Sequence, residues 1–466
     1  MTAIDPRRAE PVPTAPRGPR IWVWPALLWG MMRRGDDLID EQFDRYGDVV
    51  WLPLPRFPHF LPGGAQLVLL RDPALIKPLF TAPDELVDSA GANRALELLY
   101  GDRSLFLLNG PDHRRLRRVL LPGLRGDALA TWATFIADSA ERETRTWFGR
   151  DRVLVHPSML DLSLELILKM SLSIPDAEMS RWMPPMRELL ATATSPQATF
   201  RYGLRQLGGL RLWRGFRRVR ARCDELVFGE IARRRAHPEI EHSDLLDLLL
   251  RAEGEPLTDR ELRDQLFTIL IGGHETSATL ASWVLERLVY HPDIYARAIA
   301  EARDGTGHEY MDAIVQETLR LRPPLAFVGR ITRRNFALGE HVFPPNTLIL
   351  PVIRAVHRSA ELYPDPEVFR PERFLESRRT PFGHIPFGGG PHRCLGDHMG
   401  VFQTRSVVQS ILRIADLSGV AAGGGERIRR KALVLVPAQG GILRATPLGR
   451  REGEAQMIKN VPHEHD

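Results

Sequence analysis

Apolar residues recur at intervals of three and four over residues 111–150, 158–174, 181–193, 212–236, 259–290, 293–304 and 309–322. Each stretch predicts a helix, because that spacing lines one face of a 3.6-residue turn. Shorter runs of strand character lie at 48–54, 66–70, 336–343 and 347–350, and near 432–436 and 442–446. From Pro344 to Pro371 prolines recur too often for a long helix, since each removes a backbone donor and crowds the preceding turn. Gly423-Gly424-Gly425 marks a loop between late elements. No internal repeat is visible. The pattern predicts a mainly α fold with small β-sheets, an α+β chain in which a large helical body carries minor sheets.

The ends read differently. Ile21 to Met32 is apolar and rich in tryptophan (Trp22, Trp24, Trp29), then gives way to Arg33 and Arg34. It is far shorter than the roughly 20 residues of a bilayer span, and Pro25 interrupts it, so neither a transmembrane helix nor a signal peptide is expected. We expect residues 1–34 to form a flexible, apolar strap, 35–450 a single domain and 451–466 a disordered tail. An interfacial anchor is the alternative for the strap.

Composition changes this picture little. Of the 466 residues 43% are hydrophobic and 26% charged, ample for a large core. The net charge of +5 is mild, and no aromatic-and-basic recognition motif is present, so nucleic acid is not an expected partner. The two cysteines, Cys223 and Cys394, lie far apart, which argues against a disulfide framework and suits a reducing cytoplasm.

Candidate chemistry centres on Phe387-Gly388-Gly389-Gly390-Pro391-His392-Arg393-Cys394-Leu395-Gly396. Glycines here can adopt backbone angles closed to other residues and bring the chain close to a flat ligand. A thiolate held in such a loop can ligate haem iron, act as a nucleophile, or be an inert buried thiol. A second constellation, Gly272-Gly273-His274-Glu275-Thr276-Ser277, interrupts a long apolar helix. Two mid-helix glycines leave room beside the helix, and Thr can bond the carbonyl one turn back. An acid and an alcohol beside a cleft suit a proton relay; the competing reading is helix–helix close packing with a solvent-facing Glu. Glu317 and Arg320 share a helix face ahead of Pro323-Pro324, and Pro371-Glu372-Arg373-Phe374 follows. His113 and Arg117 likewise share a face within the basic run His113–Arg118, which by itself suits a solvated surface.

The cysteine loop resembles the haem-binding loop of the cytochrome P450 family, the haem-thiolate monooxygenases. Phe387, Gly390, His392, Cys394 and Gly396 stand at its marked places, with His392 where Arg is usual. Gly272, Gly273, His274, Glu275 and Thr276 resemble the family's oxygen-binding helix, with Gly272 where many members have Ala. Glu317, Arg320 and Arg373 resemble its buried Glu–Arg–Arg network. Gly400 and Gln403 depart from the usual Ala and Glu after the cysteine. The likeness spans about residues 40–450.

The resemblance implies a cytochrome P450 fold holding haem b (iron protoporphyrin IX) between the long central helix and the helix after the cysteine loop. Cys394 would be the axial ligand of the iron, with Phe387 and Gly388 in the cofactor loop. His113, Arg117, Arg330 and His392 would bind propionates, through charge-assisted hydrogen bonds that suit carboxylates. Gly272 and Gly273 would form an oxygen groove. Thr276 would assist oxygen activation and Glu275 would deliver protons for O–O cleavage. Glu317, Arg320 and Arg373 would support the loop structurally. Electrons from NAD(P)H would come from a ferredoxin-type or flavodoxin-type carrier, since no attached flavin or nicotinamide domain is evident. That carrier would dock on a basic proximal face of Arg114, Arg115 and Arg118, steered by charge. The substrates would be O2 and an apolar small molecule, lodged among residues 84–108, 180–212, Leu325–Val328 and Pro437–Ile442. A non-catalytic sensor and a peroxide-driven or rearranging enzyme are the alternatives, and the Glu275–Thr276 pair argues against both. A cytoplasmic location is expected. Peripheral membrane contact through Phe200–Arg220, including Phe216, is the alternative to a helix packed on the body.

Overall fold

The structure is a computed structural model describing residues 16–19, 37–52, 66–193, 214–305, 307–376, 380–420 and 425–448. The tail 451–466, the tryptophans of the expected strap, Gly423 and Gly424 lie outside the described residues, as does 194–213.

Helix α1 (Asp37–Tyr46) leads into strands β1 (Val49–Leu52) and β2 (Gln66–Leu70), helix α2 (Pro73–Phe80) and strand β3 (Val87–Asp88). The helical body follows as α3 (Gly110–Leu120), α4 (Ala133–Arg145), α5 (Val155–Leu172), α6 (Asp176–Ala193) and α7 (Arg214–Ala236), with strand β4 (Val153–Leu154) entering α5. It continues as α8 (Leu245–Leu250), α9 (Asp259–Val289), α10 (Pro292–Asp304) and α11 (Glu309–Leu321). Strands β5 (Arg330–Thr332), β6 (Phe336–Leu338), β7 (His341–Phe343) and β8 (Thr347–Pro351) come next, then short helices α12 (Ile353–His357) and α13 (Arg373–Glu376). Helix α14 (Asp397–Ile414) and strands β9 (Ala415–Gly419), β10 (Ile428–Lys431), β11 (Val434–Pro437) and β12 (Ile442–Pro447) close the described fold, and shorter helical turns join these elements.

Two expected elements divide, each for a local reason. The helix expected over 111–150 breaks after Leu120, where Pro122 opens a tight turn and Gly126 takes a φ of 58°, before α4 resumes. The strand expected over 336–343 folds into the β6–β7 hairpin at Gly339, whose φ is 61°. The largest sheet runs β1-β2-β8-β5-β3. In it β2 and β8 are parallel, with Val68 opposite Ile349, and the other neighbours are antiparallel. Strands β4-β12-β9 form a second sheet, and β10-β11 and β6-β7 are two-stranded.

The site is positioned by α9. It opens with a capping box, in which Thr258 and Glu261 satisfy each other's backbone N–H groups. Along its 31 residues apolar side chains point in every direction, so it is buried all round, as a central helix must be. It packs on α5, α11 and α14 through one core containing Ile136, Leu166, Val284, Ile314 and Ile411. Its first half joins α6 and α7 in a second core with Trp182, Phe216, Cys223 and Phe267. Phe216 is only 2% exposed, as a helix packed on the body requires, so for this residue the membrane-contact alternative does not apply: burial in that core already satisfies its apolar surface. Among the described residues no helix is long and apolar enough to cross a membrane.

Candidate active site

The cysteine loop doubles back on itself: the Cys394 N–H donates to the Phe387 carbonyl at 2.9 Å, and a tight turn over Gly390–His392 lies between. Its glycines have separate causes. Gly388 and Gly390 have φ of 67° and 68°, which an L side chain rarely adopts. A Cβ at Gly390 would stand 2.0 Å from the Phe80 carbonyl oxygen, and one at Gly389 would stand 2.6 Å from the Phe80 ring. The close approach made by Gly389 and Gly390 is therefore to the end of α2. Cys394 is accessible, although it lies deep among protein atoms. That depth pushes its thiol up, opposed by the Gly396 N–H at the sulfur and by the charges of Arg117 and Arg393. The other cysteine, Cys223, is buried, donates to the Pro185 carbonyl and is pushed up to about 12 by burial.

Beneath the loop the expected Glu–Arg–Arg group assembles. Arg320 grips Glu317 with two hydrogen bonds of 2.7 and 2.8 Å, and both residues are 0% exposed. Arg373 Nε stands 3.4 Å from Glu317 Oε1. Arg320 also donates to the carbonyls of His357, Pro366 and Val368, and the Arg370 N–H donates to Glu317. His357 extends this group to the loop. Its Nε2 accepts the Ile385 N–H at 2.8 Å, two residues before Phe387, so the ring proton sits on Nδ1, 3.3 Å from the Arg320 carbonyl. Burial holds His357 down to about 3, with the Arg320 charge adding to the effect, and the ring stays neutral.

Four cations and imidazoles converge beside the loop. His113 and His392 stack with ring centroids 3.9 Å apart. Burial and then the Arg117 charge lower His113 to about 4; burial, then His113 and Arg330, lower His392 to about 3. Arg117 donates to the Arg393 carbonyl at 2.7 Å, which ties α3 to the loop. Arg330 is 3% exposed, and burial lowers its guanidinium to about 10. It donates to the Gly329 and Gly389 carbonyls, yet its Nε has no partner, and among the described residues no carboxylate pairs with it. A buried guanidinium with an orphaned donor fits an anionic group arriving from outside the chain.

The second motif lies on α9. Thr276 donates to the Gly272 carbonyl at 2.8 Å, the backbone bond one turn back that its position predicts. The two glycines face different neighbours. A Cβ at Gly272 would meet the Phe106 ring at 3.2 Å, and Phe106 is 38% exposed. A Cβ at Gly273 would meet Ile167 of α5 at 2.6 Å. At Gly273 the missing side chain leaves room for Ile167 where α5 packs on α9. His274 also turns to α5, with Nε2 2.9 Å from the Leu160 carbonyl. Glu275 is 6% exposed and forms an ion pair with Lys431 at 2.7 Å. Lys431 and His357 carry no signal in the sequence, and Phe106 counts only as part of the expected substrate stretch 84–108. Each is placed by side-chain contacts to other segments, and no spacing announces such contacts.

On the outer face of α3, Arg114 and Arg118 are exposed. Arg115, partly exposed beside them, pairs with Glu261 at 3.0 Å, at the start of α9. Arg125 and Arg393 are both held by Asp397. On the substrate side Leu325 bridges to Val434 and Phe327 to Val352, which brings that apolar segment against β11 and the end of β8.

The cytochrome P450 family model matches residues 16–443. A Mycobacterium tuberculosis protein named "Putative cytochrome P450 135B1" is 37% identical over 89% of this chain and 88% of its own. Another from the same organism, "Putative cytochrome P450 137", is 35% identical over 96% of this chain and 93% of its own. Among solved structures, retinoic acid-bound cyanobacterial CYP120A1 shares the fold with a TM-score of 0.79 at 22% identity, covering 93% of this chain and 99% of its own. The accessible cysteine in its glycine loop, the buried Glu–Arg pair and the acid–alcohol turn of α9 agree with those matches, and the chain belongs to the cytochrome P450 family of haem-thiolate monooxygenases.

Proposed function

We propose that this cytochrome P450 inserts one oxygen atom of O2 into an apolar small molecule, with electrons drawn from NAD(P)H through a separate carrier protein. The observation that supports the reading is an accessible Cys394 in its glycine loop, in a chain whose central helix α9 carries the Glu275–Thr276 turn. Haem, when bound through the Cys394 thiolate, supplies a redox-active iron whose thiolate ligand favours O–O cleavage. The residues of this chain hold and serve it. Arg330, with its orphaned Nε, and His113, Arg117 and His392 take the propionates. Phe387 and Gly388 form the loop wall, and Glu317, Arg320 and Arg373 fix that loop from beneath. Thr276 presents a hydroxyl from α9, and Glu275 takes a proton from the solvent side and passes it to that hydroxyl. Gly272 leaves space beside Phe106 for a small molecule, and Leu325–Val328 add apolar wall.

The carrier is of ferredoxin or flavodoxin type. Exposed Arg114 and Arg118 suit its acidic surface, and the attraction is an encounter effect that salt screens. Reversing both charges should slow reduction by an acidic ferredoxin at low salt and change little at high salt.

The deciding experiment is spectroscopic. The reduced, haem-loaded protein with carbon monoxide should give the red-shifted Soret band of thiolate ligation, and Cys394→Ser should abolish it. A band typical of a neutral ligand in the unaltered protein sinks the reading.

A further inference from the structure

The region after α3, the cysteine loop and the start of α14 meet in a knot of charge around Asp397. This residue opens α14, three positions after Cys394, at the helix end where a carboxylate is favoured. Its side chain is 4% exposed. Oδ2 accepts a hydrogen bond from Arg393 Nε at 2.7 Å; Oδ1 accepts one from Arg125 Nη2 at 3.0 Å and one from the His398 N–H at 2.9 Å. Arg125 follows α3 through the turn at Pro122–Leu124, and Arg393 immediately precedes Cys394. From α3 itself, Arg117 donates to the Arg393 carbonyl. Arg393 is therefore held at both its backbone and its side chain.

Three guanidiniums thus gather around one carboxylate. Among the described residues, Arg125 and Arg393 form no ion pair except with Asp397. Arg125 also keeps a buried Nε without a partner. Burial works against a charge on Asp397, yet the hydrogen bonds from Arg393 and Arg125 hold its carboxyl below the ordinary value, so it is ionised near pH 7. Cys394 feels the members of this knot. The Asp397 charge adds to the burial that pushes the thiol up, while Arg117 and Arg393 oppose it. Burial and then the Arg125 charge lower Arg117, and the charges of Asp397 and Cys394 oppose that. A charge that reaches the sulfur also reaches a metal held by the sulfur, because the protein interior screens it less than water does.

We propose that Asp397 sets how readily the Cys394-bound iron is reduced: its buried carboxylate keeps Arg393 and Arg125 paired beside the loop and adds a fixed negative charge that favours the ferric over the ferrous state. This rests on the haem ligation through Cys394 argued above. One electron, supplied by the carrier protein, converts ferric to ferrous iron, and no bond or proton at Asp397 changes. A negative charge nearby opposes the added electron, and the two guanidiniums favour it. With Asp397 in place these effects largely offset. Without it Arg125 and Arg393 act unopposed. Asp397 works through the two arginines and through the field at the sulfur, as a positioning residue.

The test is a dye-mediated redox titration of the haem-loaded protein without substrate. It compares the unaltered chain with Asp397→Asn, Asp397→Glu, Arg393→Gln and Arg125→Gln. Asp397→Asn should move the ferric–ferrous equilibrium toward ferrous about tenfold, which is about 59 mV upward for a one-electron couple. Asp397→Glu keeps the charge and should leave the midpoint near that of the unaltered protein. Arg393→Gln and Arg125→Gln should each move it downward. A tie that only holds the loop in shape would lower haem content and the melting temperature and leave the midpoint of Asp397→Asn unmoved, and that result overturns the proposal. So does an Asp397→Glu midpoint that shifts as far as that of Asp397→Asn. Should Asp397→Asn take up no haem, the arginine variants decide, and midpoints that stay or rise in them overturn the proposal. Failure of the thiolate reading would appear separately, in the carbon monoxide spectrum of the unaltered protein.

Discussion

The polar groups under the Cys394 loop and those along the α9 wall are held in different ways. Under the loop, Glu317 receives two bonds from Arg320 and one from the Arg370 N–H, and Arg320 reaches three further carbonyls. No single contact there decides the geometry, and both charges are 0% exposed. On α9, Glu275 has one ion pair, from a half-exposed strand at the edge of a two-stranded sheet, and Thr276 has one bond to its own helix. Redundant bonding suits a ligand that must stay aimed, because cofactor geometry depends on it. Single contacts suit groups that must exchange protons and partners in turn.

The sharpest way to break this contrast is to cut the redundant side. Arg320→Ala leaves Glu317 buried without its partner, and removal of one member of a buried pair costs about 3–5 kcal/mol. Urea unfolding should show that loss, and the purified variant should carry little haem. Lys431→Met, which removes the partner of Glu275 on α9, also strands a carboxylate but one held by a single half-exposed ammonium, so it should retain haem and lose clearly less stability than Arg320→Ala. Equal losses at both sites would refute the contrast.

Acid tests both sides, since burial also holds His357 beneath the loop down to about 3. Burial holds His156 and His274 near 4 in the folded chain against an ordinary 6.5. Above pH 6.5 both states are neutral at these residues and their full contribution to stability is present. Below it the unfolded chain takes protons that the folded chain refuses, so stability drains as pH falls from 6.5 toward 4, by up to about 1.4 kcal/mol per pH unit for each histidine. Urea midpoints measured at pH 7.5 and 5.5 should differ less in His274→Gln than in the unaltered protein. An unchanged difference would mean that His274 takes up its proton in the fold. The bridge to the loop comes next in size. His357→Phe fills the ring volume but strands the buried Ile385 N–H, at about 1–3 kcal/mol. Thermal melting should fall accordingly, with haem content reduced less than in Arg320→Ala.

What the sequence disclosed follows the same division. Phe387 to Gly396, Gly272 to Thr276 and Glu317 with Arg320 were legible because each motif is contiguous or lies within one helical turn. The long apolar periodicity of 259–290 foretold the central helix to within a residue or two. His357 and Lys431 were not legible and Phe106 only as part of a long stretch, since each is placed by contacts across the fold: His357 to Ile385 and Arg320, Lys431 to Glu275, and Phe106 beside Gly272. The break after Leu120 and the turn at Gly339 were readable only as prolines and glycines inside apolar runs. There the backbone conformation overrode the periodicity. Gly273 shows the converse: its motif is plain in the sequence, whereas the Ile167 side chain of a neighbouring helix that packs beside it is not.

The smallest structural effect is expected where the chemistry is most exposed. Thr276→Ala removes a hydroxyl that donates to the Gly272 carbonyl. That carbonyl can also accept the ordinary helical N–H, and Ala is the better helix former, so unfolding should shift by no more than about 1 kcal/mol in either direction. Haem content and the carbon monoxide band should be unchanged. The fraction of electrons that reach product should nevertheless fall, with hydrogen peroxide making up the balance, because a proton can no longer be steered through that hydroxyl. The separation of the two readouts gives the experiment its force. A structural role for Thr276 would move the melting curve and leave product per electron intact. A relay role does the reverse, and unchanged product per electron would strike Thr276 from the relay.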